Sequence, residues 1–375
     1  MSSLDDLVTE AERQMRVCNA CRYCEYYCAA FPAMEQRSIF AKGDVFYIAS
    51  LCHDCRSCYQ ACMYVAPHPF DLDIPTVLTK ARLETYDHYA RPRWIVQALQ
   101  GGPAALLAAA AAMTALVCVL MAAAGNIGSV FHAHVGPGAF YHLLPHLAMA
   151  IPPLLIVAGA VTVAVSSLVA FWRDTGGRTL SLLDPKLWAT VLVEVAVMRW
   201  MRGGGDDCYY PHDDTPSPLR RWLHQFVMWG FLLAFASTIA AFIEEAWLGV
   251  LPPYGWLSLP VQLGFWGGVG LLAGATGLIA LKKRATRTLA DARRMDYMFL
   301  VMLDLVAASG IALLLLRGTG LMGSLLVIHL AAVFTLFLTA PYGKFMHAVY
   351  RLGALLKSVQ ERHADAIVIS ALDTE

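Results

Sequence analysis

Two runs of cysteine constrain this chain more than anything else in it. Cys18, Cys21, Cys24 and Cys28 form the first, Cys52, Cys55, Cys58 and Cys62 the second, and both have the spacing C-x2-C-x2-C-x3-C. Three thiolates so closely spaced fit three irons of one [4Fe–4S] cubane. The fourth, carried away by a helical turn, usually ligates the other cluster of a two-cluster ferredoxin. The expected sets are therefore Cys18, Cys21, Cys24 and Cys62 for one cluster, and Cys52, Cys55, Cys58 and Cys28 for the other. All-cysteine zinc sites usually separate two Cys pairs by a longer gap, so the runs point to iron and sulfide. The Pro that often follows the fourth Cys is absent; Ala29 and Met63 stand there, with Pro32 and Pro67 further on. Tyr23, Tyr26, Tyr27, Tyr59 and Tyr64 either shield the clusters or simply pack.

The rest of the chain is a different medium. Of 375 residues, 58% are hydrophobic and only 15% charged, against about 25% charged in soluble proteins. This composition is that of a membrane protein with a soluble portion. Zero net charge gives no nucleic-acid footprint. Cys118 lies in an apolar run and Cys208 in a polar loop, too unlike to suggest a disulfide, and thiolate clusters imply a reducing compartment. The N-terminus lacks the basic and apolar regions of a signal peptide.

Residues 1–92 read as soluble, with helices over Asp5–Arg16 and Ile74–Tyr89. Arg91, Pro92, Arg93 and Trp94 mark a membrane interface. Six apolar segments follow, at 103–124, 144–172, 222–245, 258–281, 295–316 and 321–341, each near the roughly twenty residues that a span requires. Pro152 and Pro153 suggest a kink or tilt in the second. The expected fold is mainly α: a small two-[4Fe–4S] ferredoxin-like domain (1–92) and a six-helix transmembrane bundle. The bundle divides into two spans (93–175) and a four-helix haem-binding domain (222–347). Residues 176–221 join them, with an interfacial amphipathic helix over Pro185–Met201, anchored by Trp188 and Trp200, and a flexible Gly- and Pro-rich linker. Residues 348–375 read as a tail. Lys and Arg crowd the segments 173–221, 282–294 and 344–362 and are absent from 125–143 and 246–257. By the positive-inside rule both termini and the cluster domain are cytoplasmic, in a bacterial inner membrane.

Histidines in the membrane half suggest a second kind of carrier. His224 begins the third span, His329 lies inside the sixth, and His347 follows Pro341. If the sixth helix continued, the 18 residues between His329 and His347 would make five turns, about 27 Å, with both side chains on one face. That arrangement suits two stacked b haems, each held by imidazoles from facing helices. His224 and His347 share the inner depth; His329 lies toward the outer face, where His142 and His146 begin the second span. The bland alternative is that these are interfacial hydrogen-bonding residues. His132 and His134, in a Gly-rich loop, do not read as ligands. Asp304, midway along the fifth span, either takes up a proton beside a quinone or is a protonated acid bonded to a neighbouring helix.

The first cysteine run with its Asn19, Ala20, Arg22, Tyr23 and Glu25, the second run, and the six spans together resemble the tricarballylate (citrate) utilization protein B family over nearly the whole chain. The stretch His224-Gln-Phe-Val-Met-Trp-Gly-Phe, His329, and Pro341-Tyr-Gly-Lys-Phe-Met-His347 also resemble the gamma, cytochrome b, subunit of respiratory nitrate reductases. That family carries two haems on four histidines. Ala234 stands where a deeper one is expected here, so a second haem requires His146 or His142 in its place. The resemblance implies a partner, an FAD-dependent dehydrogenase acting on tricarballylate, whose electrons cross the clusters and enter the membrane.

The residues agree with such a role. No Gly-rich dinucleotide fingerprint follows a strand, so neither nicotinamide nor flavin is expected in this chain, and no residue reads as an acid–base catalyst for an organic substrate. The expected function is an electron-transfer subunit passing electrons through clusters and haem b to the quinone pool. The reverse current, quinol oxidation feeding a cytoplasmic reductase, uses the same residues. A transporter or a membrane redox sensor would have the clusters but no haem. A reporter fused after Glu375 should behave as cytoplasmic and one inserted near Gly136 as external; the opposite pattern would overturn the orientation.

Overall fold

The computed structural model describes residues 4–205, 207–209, 215–284 and 290–372. Its described residues are almost entirely helical, with one isolated β-bridge between Cys208 and Ser217. The cluster domain contains α1 (Leu4–Cys21), α2 (Ala30–Glu35), α3 (Lys42–Leu51), α4 (Ser57–Gln60) and α5 (Ile74–Tyr89). After α6 (Arg93–Gly101) come α7 (Pro103–Ala123) and α8 (His146–Thr175), the short α9 (Pro185–Ala196), then α10 (Leu219–Leu248), α11 (Leu259–Arg284), α12 (Ala290–Leu316), α13 (Met322–Thr339) and α14 (Met346–Leu372). Among the described residues six helices are long and apolar enough to cross a bilayer: α7, α8, α10, α11, α12 from Ala292, and α13 through Tyr342. The protein is a multi-pass membrane protein.

Local chemistry sets the ends of the cluster-domain helices. Asp73 caps α5, its carboxylate accepting from Thr76 N at 3.1 Å and from the Thr76 hydroxyl at 2.8 Å, which satisfies donors that a helix start leaves open. Pro75, near the start of the helix, has no N–H to lose. The other terminal helix outruns the sequence expectation: α1 continues past Arg16 to Cys21, so the first two cysteines lie in its last turn. Asn19, in that turn, donates to Met34 O at 2.9 Å and Arg37 O at 2.8 Å, tying α1 to the end of α2. The α8 helix runs unbroken through Pro152 and Pro153.

The supposed tail is a structural member. On α14, Tyr350, Ala354, Leu355 and Val359 are buried in one core with Phe46, Tyr47 and Ile48 of α3, Leu78 and Tyr86 of α5, and Phe171 of α8. Its centre is aromatic, with Phe171 and Tyr350 centroids 5.3 Å apart and Tyr89 and Phe171 5.6 Å apart. Ion pairs rim it. Arg37 reaches Asp44 and Glu361, each at 2.6 Å, and Tyr47 donates to Glu361 at 2.8 Å. The α9 helix joins the same assembly through Glu194, which accepts from Arg362 at 3.0 Å and from Trp200 Nε1 at 2.9 Å. Trp188 donates to Leu182 O at 2.9 Å. Both tryptophans expected as membrane anchors thus have protein partners.

Two further sequence expectations change. The helix carrying His329 ends at Thr339, a 3-10 turn spans Ala340–Tyr342, and α14 starts afresh at Met346. Pro341 lacks the N–H that a continuing helix would need, so the five-turn register between His329 and His347 does not exist. The linker after Met201 is also not free where it is described. A Cβ on Gly203 would fall 2.3 Å from Ser57 Oγ and one on Gly204 2.9 Å from Tyr27. Both glycines have positive φ, 53° and 84°, and lie against the cysteine loops. Asp206 and residues 210–214 of that linker lie outside the described residues.

In the membrane half, α10 and α11 touch backbone to backbone. A Cβ on Gly230 would stand 2.7 Å from Leu271 N, one on Gly267 2.6 Å from Ala234 N, and one on Gly274 2.7 Å from Leu223 O. Small residues permit this approach, and dispersion then holds helices together where no hydrophobic force acts between them. Gly267→Leu should lower the thermal midpoint of the detergent-solubilised protein, since forcing methylenes into a packed seam costs about 1–3 kcal/mol or more. Gly159→Leu, where a Cβ meets nothing within 4 Å, should leave it unchanged. Equal midpoints for the two variants would refute the tight seam.

Candidate iron–sulfur and histidine sites

The loops of the two cysteine runs turn by unusual backbone. Arg22, Asp54 and Arg56 have φ of 55°, 51° and 63°, each between two cysteines of one run. Residues with a Cβ avoid this region, at a cost of order 1–3 kcal/mol each, and here the conformation lets closely spaced thiols converge. Such strain persists where the surroundings over-determine it.

The sulfurs gather in two groups. Cys18, Cys21, Cys24 and Cys62 line one hollow, together with Cys58, Tyr23, Tyr59 and Tyr64. Burial, then neighbouring Cys62, Cys24 and Cys21, pushes the Cys18 thiol up to about 12; burial, Cys62 and Cys21 do the same to Cys24. Cys28 lies in the other group. Its thiol is raised by burial and then by Cys52 and Cys55, and Cys58 is raised by burial and then by Cys55, Cys28 and Cys52. The fourth cysteine of each run therefore sits with the first three of the other. Thiols crowded and buried in this way resist ionising alone, and a bound cationic centre is what makes such groups thiolates. Among the described residues no three His, Cys, Asp or Glu side chains form a group that could hold one metal ion. The donor set is that of an iron–sulfur protein.

The groups differ in exposure. In the outer group Cys21 is exposed, Cys18 and Cys62 half-buried and Cys24 buried; in the inner group Cys28, Cys52 and Cys55 are buried and Cys58 half-buried. The outer group faces solvent with Tyr23, 62% exposed. Tyr26 is 82% exposed.

The inner group rests on the membrane half through arginines. Arg351 of α14 donates to Ser50 O at 3.0 Å, Cys52 O at 2.6 Å and His53 Nδ1 at 2.6 Å. Arg220 of α10 donates to Asp54 O at 2.8 Å, and Arg82 of α5 to Cys52 O at 2.5 Å. Burial, then Arg351 and Arg220, holds the His53 imidazole well below its usual value, consistent with a neutral ring accepting from Arg351. Cys208 is also here. It is 1% exposed, its thiol donates to Met201 O at 3.4 Å, and it helps to hold the Cys55 thiol below its ordinary value. Tyr209 N donates to Cys55 O at 3.1 Å. Sequence reasoning left Cys208 in a polar loop and found none of these arginines, because contacts of high sequence separation leave no local pattern.

One turn below the arginines stand two histidines. His224 follows Arg220 by four residues on α10, and His347 precedes Arg351 by four on α14, so each lies on its arginine's face. Their ring centroids are 6.0 Å apart with planes at 83°. His347 Nδ1 lies 2.6 Å from Lys344 O, and His224 Nδ1 is buried with no hydrogen-bond partner among the described residues.

The remaining candidates have separate surroundings. His329 Nδ1 lies 3.1 Å from Ser309 Oγ, and its ring covers Gly310, where a Cβ would come within 2.9 Å of Cε1. His146 Nε2 lies 3.3 Å from Glu245 Oε1, its ring 5.5 Å from that of Tyr141. His142 is 5.8 Å from the His134 ring. His329 and His146 are thus not paired among the ring contacts of the described residues. Asp304 accepts from the Thr276 hydroxyl of α11 at 3.1 Å, the bond to a neighbouring helix that was one of its two readings.

Comparison with known proteins matches residues 11–88 to the family described as Citrate utilization protein B Fer4-like domain and residues 97–367 to the family described as Citrate utilization protein B. Citrate utilization protein B of Escherichia coli is 39% identical over 358 residues, covering 94% of this chain and 92% of its own length. No solved structure matches. Two cubanes require about eight irons and as many acid-labile sulfides per chain. Metal and sulfide analysis should return those values, and Cys55→Ser should diminish one paramagnetic signal more than the other. Two zincs without sulfide would refute the assignment.

Proposed function

The chain belongs to the citrate utilization protein B family, and from that premise we propose that it is a membrane electron-transfer subunit that reoxidises an FAD-dependent dehydrogenase. The relative's name, Citrate utilization protein B, supports tricarballylate or a related tricarboxylate as the dehydrogenase's substrate. The acceptor is the quinone pool. In the proposed orientation the cluster domain and both termini are cytoplasmic, in the inner membrane, so the flavoprotein docks from the cytoplasm.

Cys18, Cys21, Cys24 and Cys62 hold the outer [4Fe–4S] cluster, and Cys52, Cys55, Cys58 and Cys28 the inner one. The exposed Cys21 side is where a reduced flavin approaches. His224 and His347 would hold one b haem. Their spacing fits: an imidazole nitrogen lies about 2 Å from a bound metal and the ring centre roughly 1 Å further, so two rings sharing one metal can stand about 6 Å apart. The observed separation is 6.0 Å. The unpartnered Nδ1 of His224 and the Lys344 carbonyl on His347 Nδ1 fit as well, since a backbone acceptor on one ring nitrogen orients the other toward a metal. When bound, the clusters and haem supply one-electron carriers between a two-electron flavin and a two-electron quinone.

The observation that carries this reading is the stacking of arginine over histidine on two helices. Arg220 and Arg351 grip the backbone of the inner cysteine loop, and His224 and His347 stand about one turn below, four residues or about 6 Å along each helix. The same pair of helices fixes both carriers' ligands, so their separation is set by helix geometry rather than by a loop. A second haem on His329 has no such support, and one haem is proposed. His347→Ala should abolish the reduced-minus-oxidised b-type spectrum while the cluster signals remain, and quinone reduction by the flavoprotein partner should fall to background. Retention of both spectrum and turnover in that variant would end the assignment.

A further inference from the structure

A second hollow, about 410 Å³ with adjoining open space included, lies where α6, α7 and α12 meet the break after α13. Its walls include Met298, Met302, Phe299 and Phe345, with Thr339 and Lys344 as polar members. We propose that this hollow binds a membrane quinone, a planar ring with two carbonyl oxygens and an apolar tail. The proposal rests on the electron-transfer reading above and adds the acceptor's site to it.

Three observations select that occupant. The walls are apolar with few polar groups, the pattern of small-molecule sites that orient a ligand by one or two contacts. Met298 and Met302 adapt to a ring edge, and Phe345 lies between Phe299 and Phe231, with centroids 6.2 and 5.5 Å away. Second, the polar end carries an ammonium donor. Lys344 lines it and pairs with Asp296 at 2.8 Å, and Lys282 pairs with the same carboxylate. A quinone carbonyl accepts a hydrogen bond when oxidised and gains negative charge on reduction, so this end favours the reduced forms. Third, the hollow adjoins the proposed haem ligand, since the backbone carbonyl of Lys344 meets His347 Nδ1 at 2.6 Å. An occupant beside Lys344 is therefore next to the electron donor. Arg294 holds the end of α6 against α12 through Gln100 O and Gly101 O, both at 3.1 Å. Asp304 does not line this hollow.

The test is equilibrium binding of a labelled, decyl-substituted benzoquinone to the oxidised full-length protein in detergent. Met298→Trp fills the hollow and Lys344→Gln removes its ammonium. Each should weaken binding by about tenfold or more, and Met298→Trp should slow reoxidation of the dithionite-reduced protein by the same quinone. Thermal midpoint and cluster signals of Met298→Trp should match the unmodified protein. Binding unchanged in both variants overturns the site. So does displacement of the quinone by an equal concentration of phosphatidylglycerol, which would make the occupant a lipid. If the protein lacks haem yet Met298→Trp abolishes quinone binding, the hollow stands and the haem reading falls. If haem is present and binding ignores both variants, the reverse holds.

Discussion

The structure depends on one buried guanidinium. Arg351 has its Nε and both terminal nitrogens on Ser50 O, Cys52 O and His53 Nδ1, so it ties the start of the inner cysteine loop to the first turns of α14. Burial, then the neighbouring Arg82, lowers it to about 10, which still leaves it charged at neutral pH. A buried cation is costly unless paired and hydrogen-bonded. Here three acceptors satisfy its donors, and the Cys52 sulfur favours its charge. Arg82 and Arg220 approach the same loop. Three guanidinium groups thus surround the backbone of the inner cysteine loop, and the same contacts hold the cluster domain against α10 and α14.

Much of this was legible in the sequence because its signals are local or periodic. Spacing alone assigned eight cysteines to two sets, and Cys18, Cys21, Cys24 and Cys62 of one set line a common hollow. Hydropathy placed six spans within about three residues of the helices at either end. The α5 helix begins and ends where its pattern said, since Asp73 and Pro75 announce its start. What failed was inference across a break. His329 and His347 shared a face only if Pro341 did not interrupt the helix, and proline does interrupt it. The residues after Arg351 looked like a tail because a mildly apolar, charge-bearing helix gives no sign of which surface will bury it. Cys208 and the gripping arginines were invisible for the same reason: their partners lie on other elements, 166 positions away for Arg220 and up to 301 for Arg351.

The glycine seam explains an absence in the membrane half. Ala234, where a further haem-binding histidine was sought, has its backbone nitrogen 2.6 Å from the place a Gly267 side chain would occupy. Two helices in backbone contact leave no slot for an imidazole and a porphyrin between them. His329 meanwhile belongs to a neighbouring pair of helices, where Ser309 holds it.

The shared core of the cluster domain and α14 has a consequence for how the protein comes into being. His53 and Arg351 are 298 positions apart. At about 5–20 residues per second, a ribosome needs roughly 15–60 s to travel from one to the other. Throughout that interval Phe46, Tyr47, Tyr86 and their neighbours, already synthesised, lack the helix that covers them. Six hydrophobic segments must enter the bilayer before it arrives. The cluster domain is therefore born first and completed last, and a nascent chain arrested anywhere before α14 would present an open apolar face and a loosely held pair of cysteine loops to the cell's quality control.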